Sequence, residues 1–95
     1  MRYGVFMFPT DTAIRPDELA REVEKRGFES LWFPEHSHIP VSRATPWGGR
    51  EGAPLLPEHY WHTHDQFIAL AYAASVTTHL RLGTGITLLA QRDPI

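Results

Sequence analysis

Ser30-Leu31-Trp32-Phe33-Pro34-Glu35-His36 reads as a short buried strand that ends in a carboxylate beside an imidazole. An apolar run of this length, stopped by proline, fits a strand of a parallel sheet covered by helices. The carboxyl ends of such strands open onto the crevice or barrel mouth where β/α proteins bind their ligands. Glu35 and His36 are therefore expected to face a ligand, not the core.

Upstream, residues 3–8 form an apolar run closed by Pro9, which predicts a first strand buried on both faces. A polar segment leads into Pro16-Asp17-Glu18-Leu19-Ala20-Arg21-Glu22-Val23-Glu24-Lys25-Arg26-Gly27, which carries helix punctuation at both ends. Pro16 suits the first helical position, where its missing N–H needs no partner, and Asp17 and Glu18 complement the positive end of the helix dipole. Lys25 and Arg26 complement the negative end. Gly27 can adopt the left-handed C′ conformation, which brings Phe28 back onto Val23. Leu19, Ala20 and Val23 form a narrow apolar stripe, as expected of a surface helix lying on a sheet. Helix and flanking strands make a βαβ unit, so the strands should be parallel with a right-handed crossover.

Downstream, residues 35–63 are interrupted by Pro40, Pro46, Gly48-Gly49, Gly52, Pro54 and Pro57 and keep no sustained period. Connections longer than roughly 12 to 15 residues are usually functional lids or disordered, and this one reads as a long active-site loop. Thr63 and Gln66 have capping-box spacing and predict a second helix, ending near Thr78, with Phe67, Leu70, Ala71, Ala74 and Val76 along one face. Residues 81–89 supply a third strand containing Gly83 and Gly85. Asp93 and Pro94 then read as the N-cap and first position of another helix. A chain that stops where a crossover helix should begin reads as a fragment, and three strands cannot close a barrel.

Composition narrows the function classes. The chain has 95 residues, 42% of them hydrophobic, with a formal net charge of −2, which is ordinary globular usage. Lys25-Arg26 is the longest basic run, so no electrostatic footprint for nucleic acid or anionic lipid is present. Cysteine is absent, which removes disulfides, thiol catalysis and thiolate metal sites. With no apolar h-region at Met1-Arg2-Tyr3-Gly4 and no run near the roughly 20 residues of a membrane span, the chain reads as cytoplasmic. There is no internal repeat or low-complexity tract.

Three groups of residues could carry chemistry. His36, with an unperturbed pKa near 6.5, could act as an acid/base or as a hydrogen-bond donor to substrate; the plain alternative is a loop histidine beside a solvated glutamate. His36, His38, His59, His62 and His64, with Glu35, Glu58 and Asp65 nearby, could hold a divalent ion. His36-x-His38 is similar to the metal pair of amidohydrolase barrels, although there the pair follows the first strand, not the second. A metal-dependent hydrolase of TIM-barrel type is thus one alternative, but the other spacings fit no ligand pattern and no metal site is assigned. Finally, Gly83-Thr84-Gly85 is a weak phosphate loop, because the third glycine and a following helix are missing. Glycine in a strand more often marks a bulge or a close approach to something flat or bulky. Trp47, Tyr60 and Trp61 could line a pocket or fasten the loop.

Together, the glycine-capped first helix, the Ser-Leu-Trp-Phe-Pro-Glu-His strand end, the proline-rich loop, the alanine-rich second helix and Arg81-Leu82-Gly83-Thr84-Gly85-Ile86-Thr87 resemble the amino-terminal third of the bacterial luciferase-like monooxygenase superfamily. The resemblance spans essentially all 95 residues and is most specific at residues 32–36 and 82–87. It implies an α/β fold: a β-α-β-α-β amino-terminal segment of a (β/α)8 TIM barrel, with residues 1–95 as one incomplete segment that stops before the fourth strand.

The same resemblance implies an oxidoreductase that moves a hydride between FMN or the 8-hydroxy-5-deazaflavin coenzyme and a small organic substrate, with dioxygen as a candidate co-substrate. Glu35 and His36 map onto the acidic residue and histidine beside the ring, with His36 as acid/base. Gly85 and Ile86 map onto a strand bulge whose non-prolyl cis peptide backs the ring, and Trp47 and Trp61 are candidates for the substrate pocket. Several FMN-dependent relatives carry a second histidine after Glu-His. Ser37 stands there in this chain, and Pro-Glu-His-Ser-His-Ile-Pro is closer to the deazaflavin-dependent branch, so that coenzyme is favoured. The family's phosphate-binding loops lie on later strands that this chain does not contain. Exposed edges of a partial sheet also predict self-association, and a non-catalytic fragment is the remaining alternative.

Overall fold

Alternation along the central strand decides which way each side chain faces. In the computed structural model, which describes residues 1–93, this is strand β2, Ser30–Pro34. Leu31 and Phe33 are fully buried, while Trp32 between them is 42% exposed on the opposite face. Strand β1, Gly4–Phe6, runs parallel to β2 on one side and strand β3, Arg81–Ile86, runs parallel to it on the other. The sheet order is β1-β2-β3. The expected parallel β-α-β-α-β order is therefore present.

Helix α1, Pro16–Lys25, begins at proline, carries Asp17 and Glu18 in its first turn and ends with Lys25 in its last. Gly27 has φ 77°, and the N–H groups of Gly27 and Phe28 donate to the carbonyls of Glu24 and Val23 at 2.9 and 3.2 Å. That pair of bonds is the Schellman cap the sequence predicts. Phe28 folds back onto the core formed by Ala20, Val23, Leu31, Phe33, Ala69, Ala73 and Leu80.

Helix α2, Gln66–Ala74, differs from the expectation in its cap and its buried face. Asp65, not Thr63, is the N-cap, and its carboxylate accepts from the N–H groups of Phe67 and Ile68 at 2.9 and 3.0 Å. The buried stripe is Gln66, Ala69 and Ala73, whereas Phe67 is 49% exposed. The reason is helix packing: α2 lies against α1 as well as the sheet. Alanines 69 and 73, facing Ala20 in one core, let the backbones approach where Phe67 would hold them apart, while Leu70 and Val76 of the expected face do pack against the same core.

The expectation that β1 is buried on both faces also fails. Only Val5 is partly covered, and Phe6 is 56% exposed. Both helices pack on one side of the sheet, leaving Phe6 and Trp32 on its open face. Among the described residues no helix is long and apolar enough to cross a membrane. The predicted helix start at Asp93-Pro94 reaches beyond the described residues.

Candidate functional site

The carboxyl ends of the strands are joined by one buried side chain. Gln66, at the first turn of α2 and fully buried, donates its amide to the carbonyls of Phe33 and Ile86 at 2.7 and 3.0 Å. Its oxygen accepts from the Thr87 hydroxyl at 2.7 Å. Every polar atom of the amide is used, so the end of β2 is held in fixed relation to the end of β3. The capping-box spacing predicts a different role for Gln66. Nothing in its spacing distinguishes the two.

Glu35 leaves β2 next to this clamp. It is 3% exposed, and its carboxylate accepts from the Leu88 N–H at 2.8 Å and from the guanidinium of Arg92. Arg92 also reaches Asp65 at 3.2 Å and lies over the Phe67 ring, 4.6 Å from its centroid. The hydrogen bonds from Arg92 hold the Glu35 carboxyl below its ordinary range despite burial. Glu35 is thus an ionised carboxylate whose acceptors are engaged by its own chain. Arg92 had no assigned part in the sequence, because its partner lies across the fold.

His36 points into an aromatic cluster. Its ring lies 4.7 Å from Tyr60 and parallel to Phe8 at 6.5 Å, and His59 packs on Phe8 at 4.7 Å and on Tyr60 at 4.8 Å. Burial pushes the His36 pKa down, opposed by Glu35 and reinforced by His59. The imidazole is therefore held toward its neutral form, able to accept a proton on one nitrogen and donate from the other.

The other histidines separate into distinct roles. His62 sits between Asp11 and Glu58, at 3.1 and 3.5 Å, and His38 contacts the Ser37 hydroxyl at 3.1 Å. Among the described residues no three His, Asp or Glu side chains converge as metal ligands. His36 and His38 accordingly gain no third ligand among the described residues.

Gly85 occupies a bulge. Phe33 pairs with Thr84 and Pro34 with Ile86, so Gly85 is the extra residue on β3. The expected cis bond is absent: Gly85-Ile86 is trans, as are all peptide bonds among the described residues. What lies against Gly85 is a ring from the same chain, since a Cβ there would run into the edge of Phe6. Trp32 occupies the corresponding space over Gly83. The glycines thus admit aromatic side chains onto the open face, and Ile86, 68% exposed, extends that face at the strand ends.

Between the two strand-end residues and α2, the loop contains two single 3-10 turns, Trp47–Gly49 and Glu58–Trp61. It frames an open cavity of about 620 Å³ lined by His36 and Trp47 among others. Trp47 also meets Tyr60 at 6.3 Å. Trp61 is 51% exposed and does not line this cavity. His36 and Trp47 are thereby brought together, and Trp61 is not.

Comparison with known proteins gives the family. Residues 1–95 match the luciferase-like monooxygenase family along their whole length. The chain belongs to the luciferase-like monooxygenase family. Uncharacterized proteins of Mycobacterium bovis and of two Mycobacterium tuberculosis strains are each 38% identical over 95 residues, covering 100% of this chain and 34% of theirs. The luciferase-like chain thus spans about a third of the length of these curated relatives. No solved structure matches it. Proteins of this family generally use flavin-type cofactors.

Proposed function

We propose that this luciferase-like chain supplies the first strands of a (β/α)8 barrel that transfers a hydride between a deazaflavin coenzyme, or alternatively FMN, and a small organic substrate. The observation that carries the reading is His36: in a chain matched end to end by the family, it leaves the carboxyl end of β2 and lines the loop cavity. Barrel enzymes place their chemistry at that face.

The residues present suit a planar heteroaromatic ring in one respect. Phe6, Trp32 and Ile86 leave an exposed apolar surface beside the strand ends, against which such a ring could be held. The trans bond at Gly85-Ile86 withdraws the backstop that resemblance alone had implied, so Phe6 and Ile86 take that part of the proposal. A bound flavin or deazaflavin would supply the hydride chemistry itself. His36, kept toward neutrality by burial, would hold or move a proton on the substrate. Glu35 would act as a positioning residue, fixing the strand end through Leu88 and Arg92.

Fluorescence titration of the protein with the deazaflavin coenzyme and, separately, with FMN tests this reading. Saturable binding of one of them, weakened by Phe6→Ala, is expected. Binding of neither, by this chain or by a longer chain that supplies the remaining strands, would sink it.

A further inference from the structure

Eight arginines are distributed over the chain, and six pair with carboxylates: Arg2, Arg15, Arg21, Arg26, Arg81 and Arg92. Arg43 and Arg50 pair with none among the described residues, and of these only Arg43 lines the 620 Å³ cavity. The one hydrogen bond of its guanidinium runs from Nη1 to the carbonyl of Pro40 at 2.9 Å, which steadies the group and leaves most of its donors unused.

The rest of the lining is apolar or neutral, including Ile39, Trp47, Leu55 and Leu56, with His36, Thr45 and Gln91 as polar points. No aspartate or glutamate lines it. A volume of this size lies in the range of about 300 to 1,000 Å³ that takes small organic ligands. An apolar cavity carrying one uncompensated cation favours a ligand that is apolar along its body and anionic at one point. Arginine's planar fork matches a carboxylate in particular.

We propose that the cavity between His36 and the 39–56 segment binds an apolar organic carboxylate, with Arg43 receiving the carboxylate and the walls receiving the hydrocarbon. As a statement of substrate class it rests on the oxidoreductase reading above; as a statement of binding it does not. Arg43 is then a specificity-determining residue, placed in the same cavity as His36.

Octanoate and octan-1-ol share a chain and differ in charge, so their binding can be compared by calorimetry on the same protein, without cofactor. Octanoate is expected to bind roughly tenfold tighter, with an advantage that shrinks as salt is raised. Arg43→Gln should remove the preference while leaving octan-1-ol binding unchanged, and Arg43→Lys should retain part of it. Equal affinities for acid and alcohol, binding of neither, or an octanoate affinity indifferent to Arg43→Gln would each overturn the proposal. The wild-type comparison needs no variant to fold. Flavin titration of this chain and of a longer chain that supplies the remaining strands separates the two claims: cofactor binding without carboxylate preference sinks only this one, and carboxylate preference with no cofactor binding by either sinks only the oxidoreductase reading.

Discussion

Trp32 lies so close over Gly83 that a methyl group at residue 83 would enter the six-membered ring of the indole, well inside 3.0 Å. The indole is fixed from its other end as well, because its Nε1 donates to the Ser30 hydroxyl at 2.9 Å. Gly83→Ala must therefore displace a ring that cannot simply swing away. A destabilisation of about 1–3 kcal/mol is expected, as for other overpacked sites. Urea unfolding monitored by tryptophan fluorescence measures it. Trp32→Leu in the Gly83→Ala background should recover part of the loss, and an unchanged midpoint for Gly83→Ala alone would refute the packing.

Gln66 gives a second prediction. Replacing it with leucine fills similar space but leaves the Phe33 and Ile86 carbonyls and the Thr87 hydroxyl without their partner. Each buried group left unsatisfied costs about 1–3 kcal/mol. Gln66→Leu should lower stability by roughly 2–4 kcal/mol, allowing for partial relaxation. Gln66→Glu should be worse at neutral pH than below pH 4, since an ionised carboxylate would face two carbonyl oxygens. Chemical denaturation at both pH values distinguishes the cases.

Much of the scaffold was legible because its signals are local. The Pro16 start, the Gly27 cap and the apolar run at residues 30–33 act within a few residues of themselves, and the structure follows them. What was not legible depends on partners distant in sequence. The buried face of α2 is chosen by Ala20 across the helix pair, and alanine carries too little hydrophobicity to outvote Phe67 in a periodicity count. Gly85 announced a close approach to something flat, but nothing adjacent to it could say that the flat group is Phe6. At the strand ends, the place of His36 directly after β2 is readable from the sequence. Arg92 and Gln66 were not, because their roles arise only when three elements meet.

Glu24 provides a long-range tie with a pH signature. Its Oε1 accepts from the N–H groups of Thr78, His79 and Leu80 at 2.9, 2.8 and 2.9 Å, joining α1 to the entry of β3. The bonds from His79 and Thr78 hold its pKa below the ordinary value of 4.5. A carboxylate depressed in the folded state contributes stability that is complete above 4.5 and is lost as pH falls through the folded value. Glu24→Gln should therefore be less stable than wild type at pH 7, with the gap narrowing below pH 4.5. Thermal unfolding of both proteins from pH 7 to pH 3 reads the gap directly. A gap that stays constant across that range would show that the charge of Glu24 is immaterial.

His36 should titrate below its ordinary value of 6.5, because burial among Phe8, Tyr60 and His59 penalises the imidazolium more than Glu35 favours it. The unfolded chain then binds a proton more readily than the folded one between the two values. Stability contributed by keeping His36 neutral is complete above 6.5 and declines as pH falls through the folded pKa. Glu35 offsets part of this, so removing its charge should lower the His36 pKa further. Histidine ring resonances in wild type and in Glu35→Gln, followed by NMR across pH 4–8, test both statements. A wild-type midpoint above 6.5, or a midpoint that rises in Glu35→Gln, would mean that His36 is not held neutral by its surroundings. Its suitability as a proton acceptor at neutral pH would fall with that result, since a histidine already protonated has no lone pair to offer.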